Sequence, residues 1–339
     1  MIIDLRSDTV TKPTPGMMEA MMNARLGDDV FGEDPTVNLL EEKMADLFGM
    51  EAALYCVSGT MSNQIAIASH TRSGEEVICE NEAHVYIYEG GGIAFNAGCQ
   101  VRPVIGERGR IRAVQVLNSI NSKEVYKART SLVCLENTSN RGGGSCYDLE
   151  EIKRIRKVCD DHELNLHLDG ARLFNALVAK KENPQQYGNL FHSISVCFNK
   201  GLGCPVGSVL LGTEKFIRQA RRLRKVFGGG MRQAGFLAAT AIYALDHHVN
   251  RLATDHLHAK NIGAGLQLHH QVKMVMPVET NLVIFELIDG VDQSHFISQF
   301  RERNILFFPI SGERLRIITH MDISAEMVEI FLGALKYIS

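Results

Sequence analysis

The stretch DLEEIKRIRKVCDDHELNLHLDG (148–170) decides the fold. Leu149, Ile152, Ile155 and Val158 recur at helical spacing and share one face, so residues 148–163 read as an amphipathic helix. NLHLDG (165–170) follows at once and reads as a buried strand that ends on a carboxylate. The same unit repeats on either side. AALYCV (52–57) is a strand, and TMSNQIAIASHT (60–71) follows it with Met61, Ile65 and Ala68 on a helical period. EEVICE (75–80), QVRPVI (100–105), SLVCLEN (131–137), SISVCF (193–198) and VGSVLLG (206–212) read as further strands. Alternation of this kind predicts an α/β chain with a mostly parallel sheet between helices, and such sheets bind ligands at the carboxyl ends of their strands. Gly59, Thr60, His84, Asp169, Arg172 and Lys200 each fall at or just after a strand end.

Beyond about residue 233 the pattern changes to two long helices. Strands at 281–288 and 314–320 then alternate with helices at 294–304 and 325–338. A length of 339 residues accommodates two domains, expected as a large ligand-binding domain over 1–246 and a smaller α/β domain over 247–339. With a net charge of −3 there is no basic surplus to hold nucleic acid or an anionic membrane surface. The eight cysteines form no CxxC pair, and several sit inside apolar runs, so they read as small buried hydrophobes suited to a reducing cytosol. The opening MIIDLRSDTV meets charge at Asp4 and Arg6, which does not suit a signal peptide, and no apolar run reaches membrane-spanning length. A cytoplasmic protein is expected.

Lys200 follows an apolar strand and precedes a glycine-rich turn in FNKGLG (198–203), with no acidic neighbour in sequence. Most lysines are solvated surface groups. An amine taken out of water instead favours its neutral form, as an imine-forming nucleophile requires. Asp169, at the inner end of its strand, needs a partner. On its own it reads equally well as the cap of a helix starting at Gly170 or Ala171. Upstream of a strand-end lysine and beside Arg172, it suits the protonated ring nitrogen of pyridoxal phosphate, which keeps that ring an electron sink. Ser58-Gly59-Thr60 opens a helix and offers backbone N–H groups to a phosphate, although the same triplet is an everyday helix cap. His84 suits stacking on a flat ring, against the commoner structural role of a lone histidine. Arg172 and Arg316 suit a substrate carboxylate, Arg316 because it interrupts an apolar strand. The basic run over 218–235 reads as a solvated helix face, from which Lys225 and Arg232 offer charge to an anion. The pairs His247-His248 and His269-His270 lack acidic partners at metal-ligand spacing and read as surface groups, and no metal is expected.

Taken together, DLRSDTVT (4–11), GDDVFGEDPTVN (27–38), SGTMSN (58–63), CLENT (134–138), LHLDGARLFNA (166–176), NKGLGCPVGS (199–208), RLRKVFGGGMRQAG (222–235) and RIITH (316–320) resemble the low-specificity threonine aldolases. These belong to the β-eliminating-lyase branch of the aspartate-aminotransferase-like enzymes. The resemblance spans nearly the whole chain and implies fold type I with a seven-stranded sheet, pyridoxal 5'-phosphate, and a homotetramer of dimers with active sites at the dimer interface. It further implies aldol cleavage of threonine, allo-threonine and related β-hydroxy-α-amino acids to glycine and an aldehyde. Lys200 then resembles the cofactor-linking lysine, Asp169 the ring-nitrogen partner, and His84 the stacking histidine that helps deprotonate the substrate hydroxyl. Gly59 and Thr60 resemble the phosphate cradle. Ser7, Arg172 and Arg316 resemble the carboxylate clamp, and Lys225 and Arg232 residues lent by a neighbouring subunit. The chain departs from the family at Tyr126, where relatives often carry a histidine near the substrate's β-carbon, and at Ser139 and Asn199. Another lyase of the same fold, acting by β-elimination or C–S cleavage, and a non-catalytic protein on that fold are the competing readings.

Overall fold

A computed structural model describes residues 1–338. Strands run over Ile3–Asp4 (β1), Ala52–Cys56 (β2), Glu76–Glu80 (β3), Gln100–Val104 (β4), Thr130–Glu136 (β5), Asn165–Gly170 (β6), Ser193–Cys197 (β7), Ser208–Gly212 (β8), Val272–Val275 (β9), Leu282–Leu287 (β10), Ile305–Leu306 (β11), Phe308–Ser311 (β12) and Arg314–Ile318 (β13). Seven of them form the large sheet, in the order β2-β8-β7-β6-β5-β3-β4. β8 is antiparallel to both of its neighbours, and the remaining pairings are parallel. This is the mostly parallel seven-stranded sheet that the alternation implies. Every residue of β3, β5, β7 and β8 is buried, as expected where helices cover both faces.

Local chemistry sets where the helices begin and end. Asp34 accepts from the N–H groups of Thr36 and Val37, Pro35 occupies the first turn, and Gly49 closes the helix Pro35–Phe48 in the left-handed region at φ 63°. Asp148 caps the helix Leu149–Asp161, whose apolar face buries Ile152, Ile155 and Cys159 against the sheet. All eight cysteines are buried and free, as their apolar settings suggest.

The helix Glu214–Val226 is not wholly the solvated basic face expected of it. Arg224 is fully enclosed: its Nη2 lies 2.7 Å from Asp29 Oδ2, and its Nη1 donates to the Tyr55 carbonyl at 2.7 Å. Two buried carboxylates, Asp29 and Glu41, lie beneath this helix and draw in Arg224 and Arg221. His248 is likewise buried rather than superficial, with Nδ1 2.7 Å from the Leu202 carbonyl oxygen.

The second core is built on the antiparallel sheet β12-β13-β10-β9 and a set of phenylalanines, among them Phe300 stacked on Phe331 at 5.2 Å. The helix Leu252–Gln267 joins the two cores: Leu252 lies in the first, and Ala259, Ile262 and Leu266 in the second. The first residues depart from the expected division at 246. β1 pairs in parallel with β11, and Ile3 and Leu5 bury their side chains in the second core, because their alternation presents an apolar face to it. Among the described residues no helix is long and apolar enough to cross a membrane.

Arg224→Ala leaves the Asp29 carboxylate buried without its cation and is expected to cost about 3–5 kcal/mol. A urea denaturation midpoint reads this loss. A change under about 1 kcal/mol would contradict the pairing's structural role.

Candidate active site

Asp169 and Glu136 stand at the carboxyl ends of neighbouring parallel strands, and His84 and Lys200 follow the ends of two more. Asp169 ends β6 beside Glu136 of β5, its register partner. Asp169 is 2 % exposed, with Oδ1 accepting from the Ala171 N–H at 3.0 Å and Oδ2 from Asn63 Nδ2 at 3.0 Å. The first of these bonds is the local cap that the sequence allows, and the second is a long-range tether. Asn63 stands on the helix Gly59–His70, which starts just after β2. Ser58 Oγ caps Met61 N–H there, so the N–H groups of Gly59 and Thr60 have no intrahelical acceptor. A Cβ on Gly59 would come within 2.5 Å of Cys197 Sγ on β7, so only glycine brings the helix start this close to the sheet.

His84 begins the turn after β3. Its Nδ1 lies 2.9 Å from Glu89 Oε1, and Glu89 in turn accepts from Asn63 Nδ2 at 2.9 Å and Gln64 Nε2 at 2.6 Å. One amide, Asn63, therefore links the carboxylates of Glu89 and Asp169. Burial lowers the His84 pKa, but the bond to Glu89 and the charges of Asp169 and Glu136 outweigh it and raise it on balance. The ligand atoms of His84, Glu89 and Asp169 lie within 4.8 Å of one another, a cluster that the linear spacing of histidines and acids does not reveal. Glu136 accepts from the backbone N–H groups of His84 and Asn140, both at 2.8 Å. Burial and the neighbouring Asp169 push its carboxyl up.

The segment after β1 closes the other side. Thr11 Oγ1 donates to the Lys200 carbonyl at 3.0 Å, and Ser7 Oγ accepts from Thr9 N–H in the turn that precedes it. Asp8 is fully buried and takes both Nε and Nη2 of Arg172, at 2.8 and 2.7 Å. Burial alone would raise the Asp8 carboxyl, yet Arg172, with Lys200 and Asn281 adding, brings it down to about 2. The Arg172 fork is thus engaged by the protein itself. Arg316 on β13 has no carboxylate partner among the described residues. Its Nη1 donates to Asn140 Oδ1 at 2.9 Å, and its Nε is buried without a hydrogen bond.

Within one chain hydrogen bonds through Asn63, Glu89, Glu136 and Asn140 tie His84, Asp169 and Arg316 together, and Asp8 brings Arg172 and Lys200 to one another, while three of the residues singled out in the sequence stand apart. Tyr126 is 80 % exposed in the loop before β5, at the amino end of the sheet, because the strand carries its carboxyl end to the opposite side. Lys225 lies on an exposed basic cleft with Arg218, Arg221 and Arg222. Arg232 pairs with Asp28 at 2.8 Å and sits over the Phe31 ring. Asp8, Asn63, Glu89, Glu136 and Asn140 are the residues that sequence reasoning misses. Asp8 and Asn63 lie inside the motif blocks DLRSDTVT and SGTMSN, so a signal for them existed.

These groups fit pyridoxal phosphate. The cradle at Gly59 and Thr60, the enclosed Asp169 carboxylate and the imidazole of His84 match its phosphate, ring nitrogen and ring face. Asn199 Oδ1, next to Lys200, is a buried acceptor with no partner among the described residues, and its polarity suits a bound polar group.

Residues 4–289 match the family described as β-eliminating lyase. The chain is 40% identical over 329 residues to the low specificity L-threonine aldolase of Escherichia coli (strain K12), with 96% of each chain covered. It is 38% identical over 341 residues to low-specificity L-threonine aldolase 1 of Arabidopsis thaliana, covering 98% of this chain and 95% of that one. Among solved structures, Leishmania major threonine aldolase superposes with a TM-score of 0.85 at 21% identity over 99% of both chains, a likeness of fold.

The folded state holds the Glu136 proton to about pH 7, whereas an ordinary glutamate releases it near 4.5. The folded chain therefore binds more protons across that window, and stability falls as pH rises through it. Glu136→Gln, which cannot ionise, removes that slope. Relative to wild type, the cofactor-free variant is expected to melt at a more favourable temperature at pH 8 than at pH 5. Equal differences at the two pH values would show that Glu136 does not titrate there.

Proposed function

The chain belongs to the β-eliminating lyase family, and from that membership and the grouping at the sheet edge we propose that it is a pyridoxal-phosphate-dependent threonine aldolase. Its substrates are L-threonine, L-allo-threonine and related β-hydroxy-α-amino acids, which it cleaves to glycine and an aldehyde. The observation that carries the reading is the buried Asp169 carboxylate beside His84, on the strand adjacent to the one that Lys200 follows.

When bound, pyridoxal phosphate supplies an electron-withdrawing ring that accepts the electron pair left at Cα. Lys200 would provide the amine that holds the cofactor. Asp169, fixed by Asn63 and Ala171, holds the ring nitrogen protonated. The free N–H groups of Gly59 and Thr60 receive the phosphate. Arg316, which lacks an acidic partner, takes the substrate carboxylate. Arg172 and Ser7 complete that clamp, with Asp8 fixing the Arg172 plane. His84 would lie against the ring and take the β-hydroxyl proton at Nε2, since Nδ1 is committed to Glu89. A raised pKa keeps that proton available for return, and proton transfer of this kind contributes roughly 10²–10⁴-fold.

The exposed positions of Lys225 and Arg232 suit a second role in a neighbouring subunit's site, in a cytoplasmic homotetramer built from dimers. The eight free thiols accord with a reducing compartment.

Lys200→Ala is expected to abolish turnover, and wild-type rates in that variant would end the assignment. Asp169→Ala is expected to lower kcat by about 10²-fold or more with the fold intact by circular dichroism. Product analysis on threonine separates the chemistries: glycine and acetaldehyde support aldol cleavage, whereas ammonia with a 2-oxo acid supports elimination.

A further inference from the structure

The rim of the cleft carries one more cation than the reaction on threonine uses. Arg141 follows Asn140, the residue that holds Arg316 Nη1. Its guanidinium carbon lies 5.0 Å from the centroid of the Tyr88 ring, and its Nη2 donates to the Tyr88 hydroxyl. The Tyr88 ring lies 5.8 Å from the ring of His84. Tyr88 therefore links Arg141 to His84, the group proposed to take the β-hydroxyl proton, while Asn140 links it in sequence to Arg316. Among the described residues Arg141 makes no ion pair, and neither does Arg316. Burial first, then the like charges of Arg172 and Arg141, bring the Arg316 guanidinium down to about 10, which places Arg141 within electrostatic reach of it. The Tyr88 ring and hydroxyl hold the guanidinium in place, with Nη2 on the hydroxyl, and leave Nε and Nη1 to meet a carboxylate.

We propose that Arg141 makes this site selective for β-hydroxy-α-amino acids bearing an anionic group on the β-carbon, 3-hydroxyaspartate being the simplest. The inference rests on the aldolase reading and specifies its substrate class. The reaction balances without an oxidant or reductant. The β-O–H and Cα–Cβ bonds break, the oxygen becomes the carbonyl of glyoxylate, the electron pair passes to Cα, and Cα gains a proton to give glycine. Threonine has only a methyl group at this position and leaves Arg141 unanswered.

The test uses the holoenzyme, with L-threonine, L-allo-threonine and both L-3-hydroxyaspartate diastereomers as substrates. Wild type is expected to show a higher kcat/KM for a hydroxyaspartate than for threonine. Arg141→Gln is expected to lower that ratio by about tenfold or more, the size of one charge-assisted hydrogen bond. An unchanged ratio in the variant, or a wild type that cleaves threonine and ignores hydroxyaspartate, overturns the proposal and leaves the aldolase reading standing. Failure to cleave any of the four overturns both. A readout without turnover, and without a variant, is calorimetric titration of wild type with succinate and butyrate. Succinate is expected to bind about tenfold more tightly, and equal affinities would also overturn the proposal.

Discussion

A carboxylate held at the inner end of an apolar strand is the constraint on which the cleft is built. Asp169 can be kept there only because Asn63 and the Ala171 N–H each satisfy one of its oxygens. Asn63 uses the same amide group to bind Glu89, so the placement of Asp169 and the orientation of His84 depend on a single side chain. The other end of that amide, Oδ1, is 3.2 Å from His167 Nε2, and His167 Nδ1 is 2.8 Å from Ser193 Oγ. The chain of bonds thus runs back beneath the sheet. Burial pushes His167 down to about 4, which leaves it a neutral support that can donate to Asn63. Such fully paired networks fix one arrangement and leave little freedom to drift.

Charge is distributed unevenly across the cleft. Asp8 neutralises Arg172, while Arg316 keeps its charge for a ligand. That contrast separates two arginines that look alike in the sequence. Asp8 fixes the orientation of Arg172, whereas Arg316 has no carboxylate partner among the described residues. Glu136 sets the spacing between the two sides, since its two oxygens pin the backbone at His84 and at Asn140.

The large sheet was legible because its strands are short apolar runs ending in polar residues, and β6 falls on 165–170 as its sequence suggests. The positions of Asp169 and Lys200 at or just after strand ends were legible for the same reason. What was not legible depends on distant pairing. Glu89 lies in a glycine-rich turn with no pattern of its own, and its role appears only when Asn63 and His84 are brought to it. Arg224 looks like its basic neighbours on the helix until Asp29 is folded beneath it. The direction of a parallel strand explains Tyr126. It is near the CLENT motif in sequence, but a whole strand length separates the loop at its start from the cleft at its end. The pairing of Ile3 and Asp4 with Ile305 and Leu306 was not legible because a two-residue strand carries too little pattern to name its partner.

That short strand has a consequence for how the protein is made. Ile3 and Asp4 leave the ribosome about 300 residues before Ile305 and Leu306, with which they pair. The strands from β2 to β8 all lie between residues 52 and 212, whereas the phenylalanine core needs Phe331 of the helix Ala325–Leu335. Until then Thr11 and Asp8 lack the anchor that draws them over Lys200 and Arg172. Assembly of that side of the site therefore depends on a long-range loop closure, the slowest class of contact to form.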